Sequence, residues 1–441
     1  MKKISQITLI FTMILTLLGS QLALSTPAAA AEEDILGLSA EAAILIDAET
    51  GKILYEKNAD TVLGVASMTK MMTEYLVLEA VKEGKITWNQ NVMISEYVHN
   101  LSKGSGLSNI GLTQGETYTV KELYEAMAIF SGNAATVALA ELVSGSEKNF
   151  VKAMNDKAKE LGLKDYKFVN SSGLNNSDLL GKHPAGNENE ENVMTARDTA
   201  HLAYRLLADY PEVLETSKQS KLNFKDGKTY PNFNWMLPGL IFEYNGVDGL
   251  KTGSTDFAGY CFTATAERDG QRFISVVMKS SSKNERFADT KKILDYAFSN
   301  FSKEEVLKSN YTPKGYETIG VDKGKEDKVK LTTDKAVDLV IESGTEDEYK
   351  AEVVIDKSKL NEDGELTAPI KKGEKIGYVT MTNTKNDYGF IDEDGKKLAS
   401  VDLVAAETVE KANWFVLSMR AVGGFFGDIW SSVADMVKGW F

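Results

Sequence analysis

The most restrictive segment of the sequence is an apolar helix pattern that runs from Ser67 to Val81 and stops at Gly84. Its apolar residues recur on nearly every side of a helix: Met68, Met71, Met72, Tyr75, Leu76, Leu78 and Val81. Such a helix has no wide polar face to turn towards water, so other elements must enclose it. The chain has 441 residues, of which 43% are apolar, and this is enough material for more than one core. The pattern therefore predicts a buried central helix in a chain of two or three domains.

Patterns on both sides of this helix predict further elements. Residues 41–57 alternate around Glu49-Thr50-Gly51-Lys52, as in a β-hairpin, and residues 249–278 predict strands with a turn at 268–270. Helical spacing marks Val120–Phe130, Ala134–Val143, Thr195–Leu207 and Asn284–Phe298. Residues 171–191 are rich in Asn, Gly, Glu and Ser, so they predict a long surface loop of the kind that borders a site.

The composition changes after Ser302. Short alternating runs are separated there by clusters of Gly, Asp, Asn and Lys, and they cover residues 329–331, 337–341, 351–355, 375–380 and 398–404. These runs predict a separate small all-β domain over residues 304–405, following a first domain over residues 32–303. The β-rich part contains no motif with a recognisable chemistry.

The first 31 residues have the order of a secretory signal peptide. Lys2 and Lys3 precede an apolar run over residues 7–18, and Ala29-Ala30-Ala31 forms a small-residue cleavage site. The apolar run is shorter than the ~20 residues that a membrane span needs. We expect cleavage after Ala31 and export, which removes two lysines and changes the formal net charge from -14 to -16.

The other end of the chain, residues 406–441, predicts an amphipathic helix that anchors the protein to a membrane surface. Between Trp414 and Phe441 one arc of the helix carries Phe415, Met419, Val422, Phe426, Ile429, Val433, Met436 and Trp440. The opposite arc carries Arg420, Asp428, Ser431, Asp435 and Lys438. These charges interrupt any span, so the helix should lie in the interface. The alternative is a helix packed on the protein's own core.

Composition excludes several classes of function. The chain has 50 Lys and Arg against 64 Asp and Glu, so it lacks the basic surface of a nucleic-acid-binding protein. The single cysteine, Cys261, cannot close an intramolecular disulfide, and the three histidines and this cysteine do not have the spacing of a zinc site. We therefore expect no metal and no cofactor. Cys261 lies between Tyr260 and Phe262, as a buried small apolar residue would.

Ser67-Met68-Thr69-Lys70 places a hydroxyl at the start of the central helix and an amine one turn further along the same face. Acyl transfer uses such a pair, because a serine becomes a good nucleophile only when a neighbouring base takes its proton. A lysine can act as that base only if its pKa falls, which burial and nearby positive charge both promote. The motif is weak by itself, since Ser280-Ser281-Ser282-Lys283 also fits it and predicts only a solvated turn.

Two further motifs strengthen this interpretation. Ser131-Gly132-Asn133, between two predicted helices, brings a second hydroxyl and an amide that can relay a proton and hold a substrate amide. Lys251-Thr252-Gly253, at the head of a predicted strand, offers a cation and a hydroxyl to a carboxylate, and its glycine lets another backbone approach closely. A strand at the edge of a cleft can bind an extended peptide as an added strand.

The three motifs in this order resemble those of the penicillin-binding protein and serine β-lactamase superfamily. The chain is most similar to the low-molecular-mass D-alanyl-D-alanine carboxypeptidases. The matching segments are 66–73, Ser131-Gly132-Asn133, Phe168 with Asn170 and Gly173-Leu174, 195–198, and 251–255. The resemblance implies an α+β fold, in which an antiparallel sheet has helices on both faces and is joined by a helical subdomain. A small all-β domain and a C-terminal amphipathic helix would follow.

The resemblance also implies roles for individual residues. Ser67 would be the nucleophile, Lys70 its general base and Ser131 a proton relay. Asn133 would bind the substrate backbone, while Lys251 and Thr252 would bind the terminal carboxylate beside Gly253. The backbone N–H groups of Ser67 and Ser254 would form the oxyanion hole. The implied substrate is a peptidoglycan stem pentapeptide that loses its last D-alanine, and β-lactams would acylate Ser67 as covalent inhibitors.

Two positions depart from the family pattern, and two other functions remain open. Val65 stands where the family has proline, and Gly132 replaces the aspartate of S-D-N. A serine β-lactamase is the first alternative, although the run containing Glu188, Glu190 and Glu191 lacks the E-x-x-L-N pattern that supplies a deacylating glutamate. The second is a non-catalytic β-lactam sensor that keeps the fold.

Overall fold

The computed structural model describes residues 34–385 and 387–419. Of the described residues, 34–37 belong to a separate N-terminal unit, and those from Leu38 to Met419 belong to one compact unit. The predicted signal peptide therefore lies outside the described residues.

The first part of the compact unit alternates strands and helices. Its strands are β1 (Ala42–Asp47), β2 (Ile53–Lys57), β3 (Leu63–Gly64), β4 (Asn91–Met93), β5 (Thr117–Thr119), β6 (Tyr166–Lys167), β7 (Val193–Met194), β8 (Lys221–Asn223), β9 (Thr229–Pro231), β10 (Val247–Thr255), β11 (Gly259–Arg268) and β12 (Gln271–Ser280). Its helices are α1 (Lys70–Lys82), α2 (Glu96–Ser102), α3 (Val120–Ala128), α4 (Asn133–Ser144), α5 (Glu147–Glu160), α6 (Ala196–Asp209), α7 (Val213–Ser217) and α8 (Glu285–Asn300). Short 3-10 turns cover Ala66–Thr69 and Asn176–Asp178.

A five-stranded antiparallel sheet in the order β10-β11-β12-β1-β2 is the frame of this part. Successive side chains of a strand point to opposite faces, so a sheet that is buried on both sides needs cover on both. One face joins the core that contains Met68 and Met71, through Ile44, Ile46, Ile274 and Val276. On the other face, Phe262 and Phe273 contact α8, with ring centroids 5.5 Å from Phe287 and 5.0 Å from Phe298. Helices therefore cover both faces, and the predicted α+β fold class is confirmed.

The central helix lies where its apolar pattern places it. In α1, the side chains of Met71, Met72 and Val77 are at most 1% exposed. The 3-10 turn leads directly into α1, and the helix ends at Lys82, just before Gly84 in its left-handed conformation. Residues of α3, α4, α5 and α6 share the core with α1, and they provide the enclosure that an all-round apolar helix requires.

The part of the chain after α8 is rich in β-structure. Its strands are β13 (Phe301–Leu307), β14 (Thr318–Asp322), β15 (Lys328–Thr333), β16 (Val337–Glu342), β17 (Tyr349–Ile355), β18 (Leu366–Thr367), β19 (Lys375–Asn383) and β20 (Ser400–Ala405), and the helix α9 (Glu393–Leu398) precedes β20. A six-stranded sheet has the order β17-β19-β20-β15-β14-β18, and β13 pairs with β16. A second core, which includes Val329, Leu331, Val379 and Leu403, lies in this part.

The segment 389–391 pairs with the outer strand of the five-stranded sheet. The amide of Ile53 donates to the carbonyl of Gly389 (2.9 Å), and the amide of Ile391 donates to the carbonyl of Gly51 (2.8 Å). Beside this pairing, the amine of Lys52 donates to the carboxylate of Asp387 (3.2 Å). The start of β2 is thereby paired, whereas β10 remains the outer strand at the other edge of that sheet.

Most predicted elements are confirmed to within a few residues, and one prediction is wrong in part. The stretch 171–191 is largely without regular structure, but its start is not at the surface, because Ser171, Ser172 and Asn176 are fully buried. Cys261 is free and fully buried, as predicted, and burial raises the pKa of its thiol to about 11.

The last described residues, 414–419, are helical, and the rest of the predicted amphipathic helix lies outside the described part of the chain. The Asn413 side chain accepts from the amide of Val416 (2.9 Å), as at a helix start. The side chains of Trp414, Phe415 and Met419 are 78%, 59% and 58% exposed. Within residues 34–385 and 387–419, no helix is long and apolar enough to cross a membrane.

The buried carboxylate of Asp289 on α8 ties the start of the compact unit to the sheet. It accepts from the amides of Ser39 (2.9 Å) and Ala40 (3.0 Å) and from the hydroxyls of Ser39 (2.7 Å) and Ser280 (2.9 Å). We expect Asp289→Ala to lower the free energy of unfolding by about 3 kcal/mol, because it leaves several buried donors without an acceptor. Urea denaturation measures this, with Ser299→Ala on the exposed side of α8 as the control. A loss no larger than that of the control would contradict this role.

Candidate active site

Ser67 lies in the 3-10 turn at the start of the central helix. The preceding residue, Ala66, has a φ of +44°, a conformation that a side chain disfavours and that surrounding structure must maintain. The strand β10 lies directly against this turn. A Cβ atom at Gly253 would be 2.6 Å from the carbonyl oxygen of Val65 and 3.1 Å from the nitrogen of Ser67. Glycine at position 253 is therefore what lets the strand approach the serine this closely.

The amine of Lys70 joins three segments that are distant in the sequence. It donates to the side-chain oxygen of Asn133 (2.8 Å) and to the carbonyl of Ser172 (2.6 Å), and it lies 2.9 Å from the hydroxyl of Ser67. The side chain is completely buried. The structure thus brings together the first two predicted motifs and adds a backbone carbonyl that the sequence did not indicate.

The surroundings of Lys70 favour its neutral form. Burial holds the pKa of its amine well below the usual value, the positive charge of Lys251 lowers it further, and the carboxylate of Glu74 acts in the opposite direction. Burial and a nearby cation are the causes that the sequence led us to expect.

Ser131 occupies the junction between α3 and α4 in a left-handed conformation, with a φ of +58°. Its side chain is 3% exposed, and its hydroxyl has no hydrogen-bond partner among the described residues. An unpartnered buried hydroxyl and a strained backbone are costly, and both occur mainly at functional sites. Asn133 follows at the first turn of α4, where its side-chain nitrogen donates to the carbonyl of Ser108 (3.0 Å). This bond fixes the amide so that its oxygen faces Lys70.

The third motif lies on β10, and part of it lines a cavity. Thr252, Gly253 and Ser254 line a cavity of about 150 Å³ together with Ser67, Ser108, Ser131, Phe233, Lys283 and Arg286. Lys251 is 3% exposed, and its amine lies 3.4 Å from the carbonyl of Thr252. Burial lowers the pKa of Lys251 to about 8, an effect that Glu74 opposes and Arg286 reinforces.

Two cations in the cavity wall were missed by the sequence analysis. Arg286 is 3% exposed, donates to the carbonyls of Gly253 (3.2 Å) and Cys261 (3.4 Å), and has a buried Nε without a partner among the described residues. Burial lowers its pKa to about 10. Lys283, which we placed in a solvated turn, follows the turn at the end of β12 and also lines the cavity. Neither residue belongs to one of the three motifs, so only the packing of α8 against the sheet reveals them.

The loop that supplies the carbonyl of Ser172 is held by a network of asparagines. The side chain of Asn192 accepts from the amides of Val169 (2.7 Å) and Asn170 (3.1 Å) and donates to the hydroxyl of Thr69 (2.9 Å). Gly173 has a φ of +78°, and a Cβ atom there would lie 1.8 Å from the carbonyl oxygen of Ala66. The loop can therefore reach the serine turn only with glycine at this position.

The arrangement has the parts of an acyl-transfer site and no evident metal site. A serine hydroxyl, a buried amine, a second unpartnered hydroxyl and a cationic wall surround one small cavity. Across the described ranges, no group of three or more His, Cys, Asp or Glu side chains is placed to hold a metal ion.

Comparisons with known proteins identify the family to which the chain belongs. The family model of D-alanyl-D-alanine carboxypeptidase matches residues 27–282, and the model of the penicillin-binding protein 5 C-terminal domain matches residues 301–411. The chain is 36% identical to the D-alanyl-D-alanine carboxypeptidase DacF of Bacillus subtilis over 415 residues, which cover 92% of this chain and 96% of that protein.

Solved structures give the same result. The crystal structure of the peptidoglycan synthesis regulatory factor PBP3 of Streptococcus pneumoniae is 35% identical, with a TM-score of 0.67, and the match covers 85% of this chain and all of that one. Penicillin-binding protein D2 of Listeria monocytogenes, solved in its ampicillin-bound form, is 36% identical, with a TM-score of 0.51 and coverage of 59% and 98%. The chain belongs to the serine-type D-alanyl-D-alanine carboxypeptidases, a family of low-molecular-mass penicillin-binding proteins.

Proposed function

We propose that this carboxypeptidase removes the terminal D-alanine from peptidoglycan stem pentapeptides through an acyl-enzyme on Ser67, and that β-lactams acylate the same serine. Lys70 is the general base, Ser131 relays the proton to the leaving amine, and Asn133 binds the substrate backbone. Water then hydrolyses the ester, and Ser67 regains its proton.

The observation that carries this proposal is the environment of the Lys70 amine. The side-chain oxygen of Asn133 and the carbonyl of Ser172 can only accept hydrogen bonds, so they occupy two N–H groups of the amine. In the neutral form, the remaining lone pair can point to the Ser67 hydroxyl 2.9 Å away and take its proton. Burial, and after it the charge of Lys251, lowers the pKa of Lys70 and so favours this neutral form.

The wall formed by β10 and α8 suits the carboxylate end of the substrate. The strand β10 is an outer strand of its sheet, so an extended peptide can pair with it as an added strand. Thr252 offers a hydroxyl to the substrate carboxylate, and the positive charges of Arg286 and Lys251 favour its binding. The amides of Ser67 and Ser254 are proposed as the oxyanion hole, and the close contact of Gly253 with the serine turn supports this pairing.

The β-lactamase and sensor alternatives have less support. Glu191, the acid of the 188–191 run that reaches β10, accepts from the hydroxyl of Thr255 (2.7 Å), and this bond occupies it at the end of that strand. A non-catalytic sensor has less support because the proposed nucleophile, base and second hydroxyl lie together around one cavity. Both alternatives remain outcomes of the labelling experiment below.

We further propose the domain limits and location given by the sequence. Residues 1–31 are a signal peptide, 32–303 the peptidase domain, 304–405 the β-rich domain and 406–441 an anchor that lies on the extracytoplasmic face of the bacterial membrane. The exposed Trp414, Phe415 and Met419 at the start of the terminal helix support an apolar surface there.

Labelled penicillin tests the nucleophile and the base. We expect stable labelling of the wild type, none of Ser67→Ala, and a loss of roughly 10²–10⁴-fold in the acylation rate of Lys70→Ala, because general-base catalysis contributes about that factor. Gel fluorescence measures the rates, and Lys152→Ala, an exposed residue of α5, is the control. Rapid release of hydrolysed drug would indicate a β-lactamase, and labelling without D-alanine release from a pentapeptide would indicate a sensor.

The carboxylate-binding wall predicts a difference between two substrates. Lys251→Ala and Arg286→Ala should each raise the KM for a peptide with a free terminal carboxylate by at least about tenfold, as expected for a lost charged hydrogen bond. The same peptide with an amidated end should be affected much less. Steady-state release of the terminal residue measures both. Equal losses on the two peptides would contradict the carboxylate-binding role.

The proposed anchor predicts the behaviour of a shortened chain. Without residues 414–441, the mature protein should remain in the supernatant after sedimentation with anionic phospholipid vesicles and should keep its carboxypeptidase activity. The mature protein that retains these residues should sediment with the vesicles, because apolar side chains of an amphipathic helix insert into the interface. Sedimentation of the shortened chain would show that the membrane contact lies elsewhere.

A further inference from the structure

The cavity at Ser67 is lined by positive charge. Among the nine described residues of its wall are two cations, Lys283 and Arg286, and no aspartate or glutamate, although the whole chain has 64 acids against 50 Lys and Arg. Two like charges beside one small cavity repel each other unless an anion joins them. The wall is therefore suited to an anionic ligand. The proposed carboxylate-binding groups, Lys251, Thr252 and Arg286, do not include Lys283.

Lys283 lies in the turn that leads from β12 into α8. The preceding residue, Ser282, accepts from the amide of Glu285 at its hydroxyl (3.1 Å) and from the amide of Arg286 at its carbonyl (3.3 Å). These bonds fix the backbone beside Lys283. The Lys283 side chain is exposed, whereas Arg286, three residues further along, is 3% exposed. Lys283 is therefore the outer of the two cations in the cavity wall, and Arg286 is the inner one.

The amine of Lys283 lies over an aromatic ring. Its Nζ is 4.1 Å from the ring centroid of Trp235. That ring stacks on Phe242 and Phe287, with centroid distances of 6.2 Å and 5.7 Å, and the stack holds it in place. Across the described part of the chain, the Lys283 amine has no hydrogen bond and no ion pair. The face of a ring attracts a cation without cancelling its charge, so the amine can still bind an anion.

The electrostatic surroundings of Lys283 agree with this geometry. Partial burial first, and the charge of Arg286 second, lower the pKa of the Lys283 amine. A carboxylate beside the amine would raise that pKa instead. Because the side chain is exposed, the amine remains an ammonium ion at neutral pH. A carboxylate that enters the cavity between Lys283 and Arg286 would compensate both charges.

We propose that Lys283 is a specificity-determining residue of the carboxypeptidase, which binds the free terminal carboxylate of the peptide at the outer end of the cavity, together with Arg286. This inference rests on the proposed function and adds a residue that selects substrates with a free carboxyl end. The carboxylate is not altered by the reaction, so Lys283 contributes to substrate binding and not to the chemical step. Trp235 positions the amine for this contact.

The test compares two peptides in Lys283→Met, which keeps an unbranched apolar chain beside Trp235 and removes the charge. For a pentapeptide with a free terminal carboxylate, kcat/KM should fall roughly threefold to fivefold through a higher KM, as expected for one partly exposed charge pair. The same peptide with an amidated end should lose less than about twofold, because it has no charge to bind. Steady-state release of the terminal residue measures both.

Ionic strength gives a second readout of the same contact. Raising it from about 0.05 M to about 1 M shortens the screening length to about 3 Å. The advantage of the wild type over Lys283→Met on the free-carboxylate peptide should then shrink to less than about twofold, since salt screens an exposed charge pair. A residue with a purely structural role would give a loss that salt does not remove.

Two variants control for the loss of a lysine as such. Lys291 on α8 also lies over an aromatic ring, 5.7 Å from the centroid of Tyr244, but it pairs with Asp295 and is not one of the described residues that line the cavity. Lys291→Met should therefore match the wild type on both peptides. Lys283→Arg keeps the charge and should retain most of the wild-type kcat/KM. Equal losses of Lys283→Met on the two peptides, or a loss that persists at high salt, would overturn the proposal.

The wild type distinguishes failure of this inference from failure of the proposed function. If it releases D-alanine from the pentapeptide and Lys283→Met does so equally well at low salt, the proposed function stands and Lys283 has no part in it. If the wild type releases no D-alanine, the proposed function fails and the role of Lys283 fails with it. Because Lys283 is exposed, Lys283→Met should keep the wild-type melting temperature, so a kinetic loss reports on the site.

Discussion

The contact on which the rest of the site depends joins the completely buried amine of Lys70 to the hydroxyl of Ser67, 2.9 Å away. An exposed lysine would keep its proton at neutral pH and could not accept another. Complete burial removes the water that stabilises the charged form, and two fixed acceptors, on Asn133 and Ser172, hold the amine in place. These surroundings favour the neutral amine, which is the form that the proposed general base requires.

Much of the surrounding structure serves to hold three segments around that amine. The central helix supplies Ser67 and Lys70, the α3–α4 junction supplies Ser131 and Asn133, and the loop after β6 supplies the carbonyl of Ser172. Close contacts at Gly173 and Gly253 leave no room for a side chain, and Ala66 and Ser131 adopt left-handed conformations. Strain of this kind persists only where the packing around it is rigid. The apolar enclosure of α1 therefore contributes directly to the geometry of the site.

The two edges of the five-stranded sheet differ in what lies beside them. Residues 389–391 pair with the start of β2, next to the ion pair between Lys52 and Asp387 and the contact of His201 with Asp392 (3.2 Å). The β10 edge carries Thr252 and Gly253 into the cavity. An outer strand can pair with a further extended segment, and β10 has this position at the cavity. Residues 389–391, in the β-rich part of the chain, thus pair with the sheet at the edge opposite β10.

The sequence by itself determined the enclosed helix, the strands of the main sheet and the chemistry of the three motifs. These features are local: apolar spacing fixes which face of an element is buried, and a serine and a lysine three residues apart meet on any helix. The tertiary structure alone decided that Arg286 and Lys283 line the cavity, that the start of the 171–191 loop is buried, and that Glu74 shares the interior with Lys251. Each of these depends on contacts between residues far apart in the chain. A local sequence pattern does not show how deeply a side chain is buried or which charges lie near it in the fold. Burial and nearby charges determine the pKa values of Lys70 and Lys251.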